Sequence, residues 1–247
     1  GYELNSADVL VPAFLAAYTN KNPNKSTLDL FPSLLKMMPN WRINYSGLSN
    51  LDFIKKYLKR VTLTHGYKCI YNVGSYSSYL DWERGNNGTY GYINDVLDSS
   101  DAKTILASHY DIGNVTISES FTPLLGFDIA TNSDISFKVE YKTSRTLGLN
   151  ISSTQLVESS TNEWVFGAGY KVANFNTIIK IKQKQSKVKN DLTLRGDLSI
   201  KDIKAVIRKI EEDYSQPTSG SKALTLRMTA DYIFSEKVNI TLYFDRM

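Results

Sequence analysis

The feature that most restricts this chain is a period of two that outlasts an ordinary strand. In Arg60–Val73, the residues Val61, Leu63, His65, Tyr67, Cys69, Tyr71 and Val73 alternate with Thr62, Thr64, Gly66, Lys68 and Asn72. The alternation holds over about 13 residues, against a usual strand of roughly 5–6. A tilted strand that crosses a hydrocarbon layer needs about 9–11 residues and must then emerge, so this length suits a membrane barrel better than a sandwich. The pattern recurs in Ile135–Thr143, at Leu147, Leu149 and Ile151, and through Trp164, Phe166, Ala168 and Tyr170. It is cleanest in the last hairpin, where Leu224–Phe234 and Val238–Phe244 flank the turn Ser235-Glu236-Lys237. About ten such segments without compensating helices predict an all-β fold, an antiparallel transmembrane β-barrel arc. One face would line a lumen through Thr193, Arg195, Asp197, Ser199, Thr225, Arg227, Thr229 and Asp231. The other would meet lipid through Leu192, Leu194, Leu198, Leu226, Met228, Leu242 and Phe244.

Residues 1–38 lack this pattern and are expected to pack at or in the barrel mouth, leaving 39–247 as strands. Ser6 or Asp8 can cap a short helix through Val9–Tyr18, with Pro12 near its first turn. Asn20–Lys25 is a turn-rich break, and the apolar Leu28–Met38 holds Pro32. In Pro39–Ser46, Trp41, Ile43 and Tyr45 share a face. Ser49 then reads as an N-cap for a short helix in which Leu51, Ile54, Tyr57 and Leu58 oppose Lys55, Lys56, Lys59 and Arg60. Ile105–Ser118 and Pro123–Thr131 read as separate strands, and a turn is expected near Ser186–Asn190. Long loops are expected at Leu80–Thr104 and Ile207–Lys222, on opposite sides of the sheet.

The 29 basic and 25 acidic residues give a net charge of +4, too balanced to point to nucleic acid. Of the aromatics, 16 are Tyr, which suits interfacial girdles. The single cysteine, Cys69, permits no internal disulfide and reads as an inert thiol on an apolar face. His65 and His109 stand apart from any cluster at metal spacing, and no nucleophile motif or phosphate loop is present. The expectation is a protein without catalysis, metal or cofactor. The longest apolar run, Val9–Tyr18, is far short of the roughly 18 residues of a spanning helix. The chain starts at Gly1 without a signal peptide, which reads as a piece of something larger.

Taken in order, PNWRINYSGLSNL, VTLTHGYKCIYNVGSY, GFDIA, EYKTSRTLGLNIS, NEWVFGAGYKV, DLTLRGDLSIKD and LTLRMTADYIFSEKVNITLYFDR resemble the C-terminal part of the SprA/Sov family, the outer-membrane translocon of the type IX secretion system. The resemblance implies one arc of a far larger barrel in the bacterial outer membrane, a passive conduit for folded proteins. It implies as partners the remainder of that barrel chain, a PorV-type companion protein, a periplasmic plug, secreted protein substrates and membrane lipid. Two other classes stay open: an outer-membrane porin or receptor for small solutes, and a soluble all-β binding module.

Overall fold

A strand with one apolar and one polar face is stable only beside partners that continue both faces. The computed structural model shows how this chain supplies them. The structure describes residues 3, 5–22, 39–85, 91–94, 104–181, 184–212, 214–235 and 238–246. Its strands are β1 (Trp41–Tyr45), β2 (Leu58–Ser78), β3 (Trp82–Arg84), β4 (Gly91–Asn94), β5 (Thr104–Leu106), β6 (Tyr110–Thr131), β7 (Ile135–Asn150), β8 (Gln155–Ile181), β9 (Lys184–Lys209), β10 (Tyr214–Ser235) and β11 (Val238–Arg246). Eight form one antiparallel sheet in the order β1-β2-β6-β7-β8-β9-β10-β11, and β3-β4-β5 form a second, three-stranded sheet.

This order overturns the barrel expectation. β1 and β11 are the two edges of the large sheet and do not pair with each other, so the sheet is open. Alternation fixes the sidedness of a strand and its length allows a wide sheet. Neither fixes closure, which depends on tilt and stagger between strands. No helix among the described residues is long and apolar enough to cross a membrane.

The strands outrun their sequence boundaries. β8 and β9 have 27 and 26 residues, and the register from Gln155↔Lys209 to Val172↔Leu192 is unbroken. Ser186–Asn190, expected as a turn, therefore lies inside β9. Most of Ile207–Lys222, expected as a long loop, is likewise strand, with β9 running to Lys209 and β10 starting at Tyr214. One of the two long loops expected on opposite sides of the sheet is thereby replaced by strand. Ile105–Ser118 and Pro123–Thr131 are also redrawn: β6 begins at Tyr110 and continues through Thr122-Pro123 to Thr131. The strand absorbs that dipeptide as a shift in register between Phe121 and Leu125.

Thr64 meets β6 beside this irregularity, where Gly126 leaves room for its side chain. Its hydroxyl is buried without a partner. An unsatisfied buried hydroxyl costs about 1–3 kcal/mol. Thr64→Val is therefore expected to raise the melting temperature; a lower one would show that the hydroxyl is satisfied.

Leu80–Thr104 was expected to be structureless, but it supplies β3 and β4 and the start of β5. Trp82 Nε1 donates to the Ala107 carbonyl at 2.9 Å, and its ring stacks on His109 at 4.5 Å. Gly91 lies under that ring, where any Cβ would strike the indole. Because a stacked indole cannot swing away cheaply, Gly91→Ala should free Trp82. The expected readout is a red-shifted, more quenchable tryptophan emission, and unchanged emission would refute it.

Helix α1 (Ala7–Tyr18) sets Ala7, Leu10, Val11 and Phe14 along one stripe at helical spacing. That stripe packs on one end of the sheet, against Ile112, Val115, Ile117, Leu147, Leu149 and Ile151. Ser6 occupies the N-cap position but makes no side-chain cap bond. Leu28–Met38 lies outside the described residues.

The Ser49 expectation is corrected as well. Ser49 belongs to a 3-10 turn (Gly47–Asn50), and α2 (Asp52–Lys55) is only four residues long, with Leu51 at its N-cap. The Ser49 hydroxyl instead donates to the Val61 carbonyl at 3.1 Å and accepts from the Val61 N–H at 2.9 Å. Asn40 Oδ1 accepts the Cys69 N–H at 2.7 Å. Between them β1 pairs with Leu63–Tyr67. These side chains stand in for missing strand on the β2 edge.

Candidate functional site

The register places all eight residues of the expected polar face together. The cross-strand pairs are Thr193↔Asp231, Arg195↔Thr229, Asp197↔Arg227 and Ser199↔Thr225. A row of charge crosses the sheet through the pairs Asp128↔Lys138, Lys138↔Gly167, Gly167↔Asp197, Asp197↔Arg227 and Arg227↔Asp245. Its signs alternate apart from the neutral Gly167, where a Cβ would sit 2.6 Å from Asp197 Oδ1. Arg227 Nε donates to Asp245 Oδ1 at 2.8 Å, and Thr241 Oγ1 donates to Asp231 Oδ1 at 2.6 Å. Cations and carboxylates are interleaved here, so the face offers no field of one sign.

The residues expected to be lipid-facing share the opposite face. Leu198 pairs with Leu226, Met228 with Phe244, and Leu192 with Tyr232; Ala230 joins Leu194 to Leu242. Trp164, Phe166 and Tyr170 continue this band onto β8. The band is exposed: Leu242 keeps 68 % of its surface and Leu224 58 %. Ala168, Gly196 and Ala230 form a depression in it, a cavity of about 860 Å³ rimmed by Tyr170, Leu194, Met228, Leu242 and Phe244. Aromatics border the band, with Tyr141 4.6 Å from Trp164 at one margin and Phe175 6.0 Å from Tyr232 at the other.

Beyond the Trp164 margin the same face turns polar before it reaches α1. There Glu119 Oε1 accepts the Tyr18 hydroxyl at 2.6 Å and the Tyr67 hydroxyl at 2.9 Å. Burial, together with these bonds to the carboxylate, pushes both phenols above their ordinary range. Cys69 Sγ lies 3.5 Å from the Tyr18 hydroxyl, half-buried. Beside them Glu158 takes Arg145 Nε and Arg208 Nη2, each at 2.8 Å. Burial alone would raise the Glu158 carboxyl, but the two guanidinium groups outweigh it and hold the group below its usual value of 4.5.

Stability from Glu158 is complete above the unfolded value and is lost as pH falls through the lower folded value. Glu158→Gln should therefore lose less stability than the parent when urea unfolding is compared at neutral pH and below about pH 4.5. Parallel losses would show that Glu158 titrates alike in both states.

This cluster was not foreseen in the sequence, because Tyr18 and Glu119 are 101 positions apart. One signal pointed to it: Glu119 interrupts the apolar series Val115, Ile117, Phe121. His65 is structural, with Nδ1 2.7 Å from the Leu124 carbonyl and its ring between Trp41 and Phe121. Among the described residues no group of three or more His, Cys, Asp or Glu could hold a metal ion.

No protein-family model and no curated protein matches this sequence. The resemblance to SprA/Sov therefore finds no homology to support it. With the sheet open as well, the translocon reading is overturned, and what stands is an all-β chain with two unclosed antiparallel sheets.

Proposed function

We propose that this chain is a non-enzymatic all-β binding module that docks on a lipid surface through the apolar face of its large sheet. The observation that carries the reading is the exposed band from Trp164 and Phe166 to Leu242 and Phe244. A contiguous apolar patch of this extent on a soluble surface marks a place of contact. Two features favour lipid over an apolar protein. Aromatic residues border the band, as they do where rings sit between headgroups and acyl chains. The opposite face interleaves both charges and suits water. Because the sheet has open edges, docking is peripheral: hydrocarbon cannot satisfy the backbone groups of an unpaired edge, whereas the headgroup layer is hydrated.

The test is flotation with phosphatidylethanolamine–phosphatidylglycerol vesicles. The parent protein should float, Leu242→Asp and Phe166→Asp should each lower the bound fraction about tenfold, and Thr229→Asp on the polar face should leave it unchanged. A parent that stays at the bottom of the gradient overturns the reading. The cavity in the band favours one second reading, face-to-face packing of two copies as in a sandwich. In that case sedimentation shows a dimer in plain buffer that the same two substitutions dissolve.

A further inference from the structure

Between the C-terminal end of α1 and the sheet lies a cavity of about 660 Å³, within the range of small-molecule sites. Its two ends differ in chemistry. Phe14, Leu147 and Leu156 make one wall apolar, and Phe14 and Leu147 are nearly fully buried. At the other end stand Arg145 and Arg208, joined through Glu158.

The arrangement of the two arginines decides what the cavity can take. Glu119 is the direct cross-strand neighbour of Arg145, yet its Oε1 accepts two tyrosine hydroxyls while Arg145 turns to Glu158. On the cavity wall the carboxylates of Glu119 and Glu158 thus face three cations, Arg145, Arg208 and Lys21, leaving one net positive charge. Each guanidinium spends a single N–H on Glu158, Nε from Arg145 and Nη2 from Arg208, out of about five donors. Glu158 also fixes the orientation of both forks, so their remaining donors are presented with little loss of side-chain freedom.

From this geometry we propose that the cavity binds an amphiphilic monocarboxylate, its headgroup on Arg145 and Arg208 and its aliphatic or aryl body against Phe14, Leu147 and Leu156. A carboxylate neutralises the surplus charge and matches the planar guanidinium fork. A neutral chain gains only the apolar wall, and a polyanion would exceed the available charge. The proposal does not rest on lipid docking, because the cavity lies beyond the exposed band and is lined by other residues.

The probe is nonanoate, titrated calorimetrically into the full chain in vesicle-free buffer, with nonan-1-ol as its neutral counterpart. Saturable one-to-one binding of the acid, at least tenfold tighter than the alcohol, is expected. Arg208→Met keeps the aliphatic stem and leaves Glu158 paired with Arg145, and should remove the preference for the acid. Leu156→Trp fills the apolar end and should abolish binding of both, while the melting temperature of each variant reports that it is folded. If the acid binds only when presented in phosphatidylethanolamine vesicles, with the same loss in Arg208→Met, the membrane is its source and the site stands. Equal binding of acid and alcohol, binding that survives both substitutions, or no saturable binding in either setting overturns the proposal.

Discussion

Replacing Leu149 with alanine is expected to lower the unfolding free energy by roughly 2–5 kcal/mol, the usual range for emptying a buried leucine site. Leu149 is 1 % exposed, pairs across the sheet with Val115 and Leu156, and lies in the cluster covered by α1. Sheet register holds its neighbours on both sides, so the site can collapse only slightly and most of the cavity persists. Urea unfolding supplies the measurement, and Leu224→Ala supplies the contrast. Leu224 is about as apolar but keeps 58 % of its surface, so its truncation should fall within about 0.5 kcal/mol of the parent. Equal losses at the two positions would mean that α1 does not seal the cluster. Val11, fully buried on the helix side, gives the cross-check. Its truncation combined with Leu149→Ala should cost less than the sum of the single changes, because both open one cavity.

That contrast also marks the limit of what could be read from the sequence. Period two placed Leu226, Met228, Leu242 and Phe244 on one face and Thr225, Arg227, Thr229 and Asp231 on the other, and the register sets them so. It could not separate an apolar face under a helix, as at Ile117 and Leu149, from one left open, as at Leu242. Both have the same alternation, and only tertiary packing of α1 tells them apart. Turns were the second blind spot. Ser186–Asn190 and Ile207–Lys222 are rich in polar residues and suggest loops, yet antiparallel pairing with β8 holds the first inside β9, and pairing between β9 and β10 holds most of the second in strand. Ser49 shows the same override at a single residue. Its type and position suited an N-cap, but the unpaired edge of β2 at Val61 was the stronger claimant for its hydroxyl. The largest error was closure, which no local pattern encodes. The cavity under α1 was illegible for another reason: its parts come from the helix, β2, β6, β7, β8 and β9, and meet only through the sheet order.

Removing both lysines around Glu140 is expected to cost more than the two single changes together. Glu140 is 8 % exposed although it lies on the polar face, between Gly126 and Val165 on the neighbouring strands. Its carboxylate has Lys138 Nζ at 3.0 Å and Lys142 Nζ at 3.3 Å, both from its own strand. Either lysine alone still balances the charge, so Lys138→Met or Lys142→Met should each change stability by less than about 1 kcal/mol. With both replaced, a buried carboxylate is left uncompensated, a state that costs about 3–5 kcal/mol when burial is complete. The lysine side chains are 43 % and 32 % exposed, so water reaches the site and the expected loss is nearer 1–3 kcal/mol. Adding Glu140→Gln to the double variant should recover part of that loss, because the charge itself is then gone. Additive small losses, or no recovery on adding Glu140→Gln, would show that the carboxylate is satisfied by other means. The charges of the polar face are interleaved along strands, as in Lys138, Glu140 and Lys142, and across them, as in Arg227 with Asp245, so a carboxylate such as Glu140 keeps a cation when one of its partners is replaced.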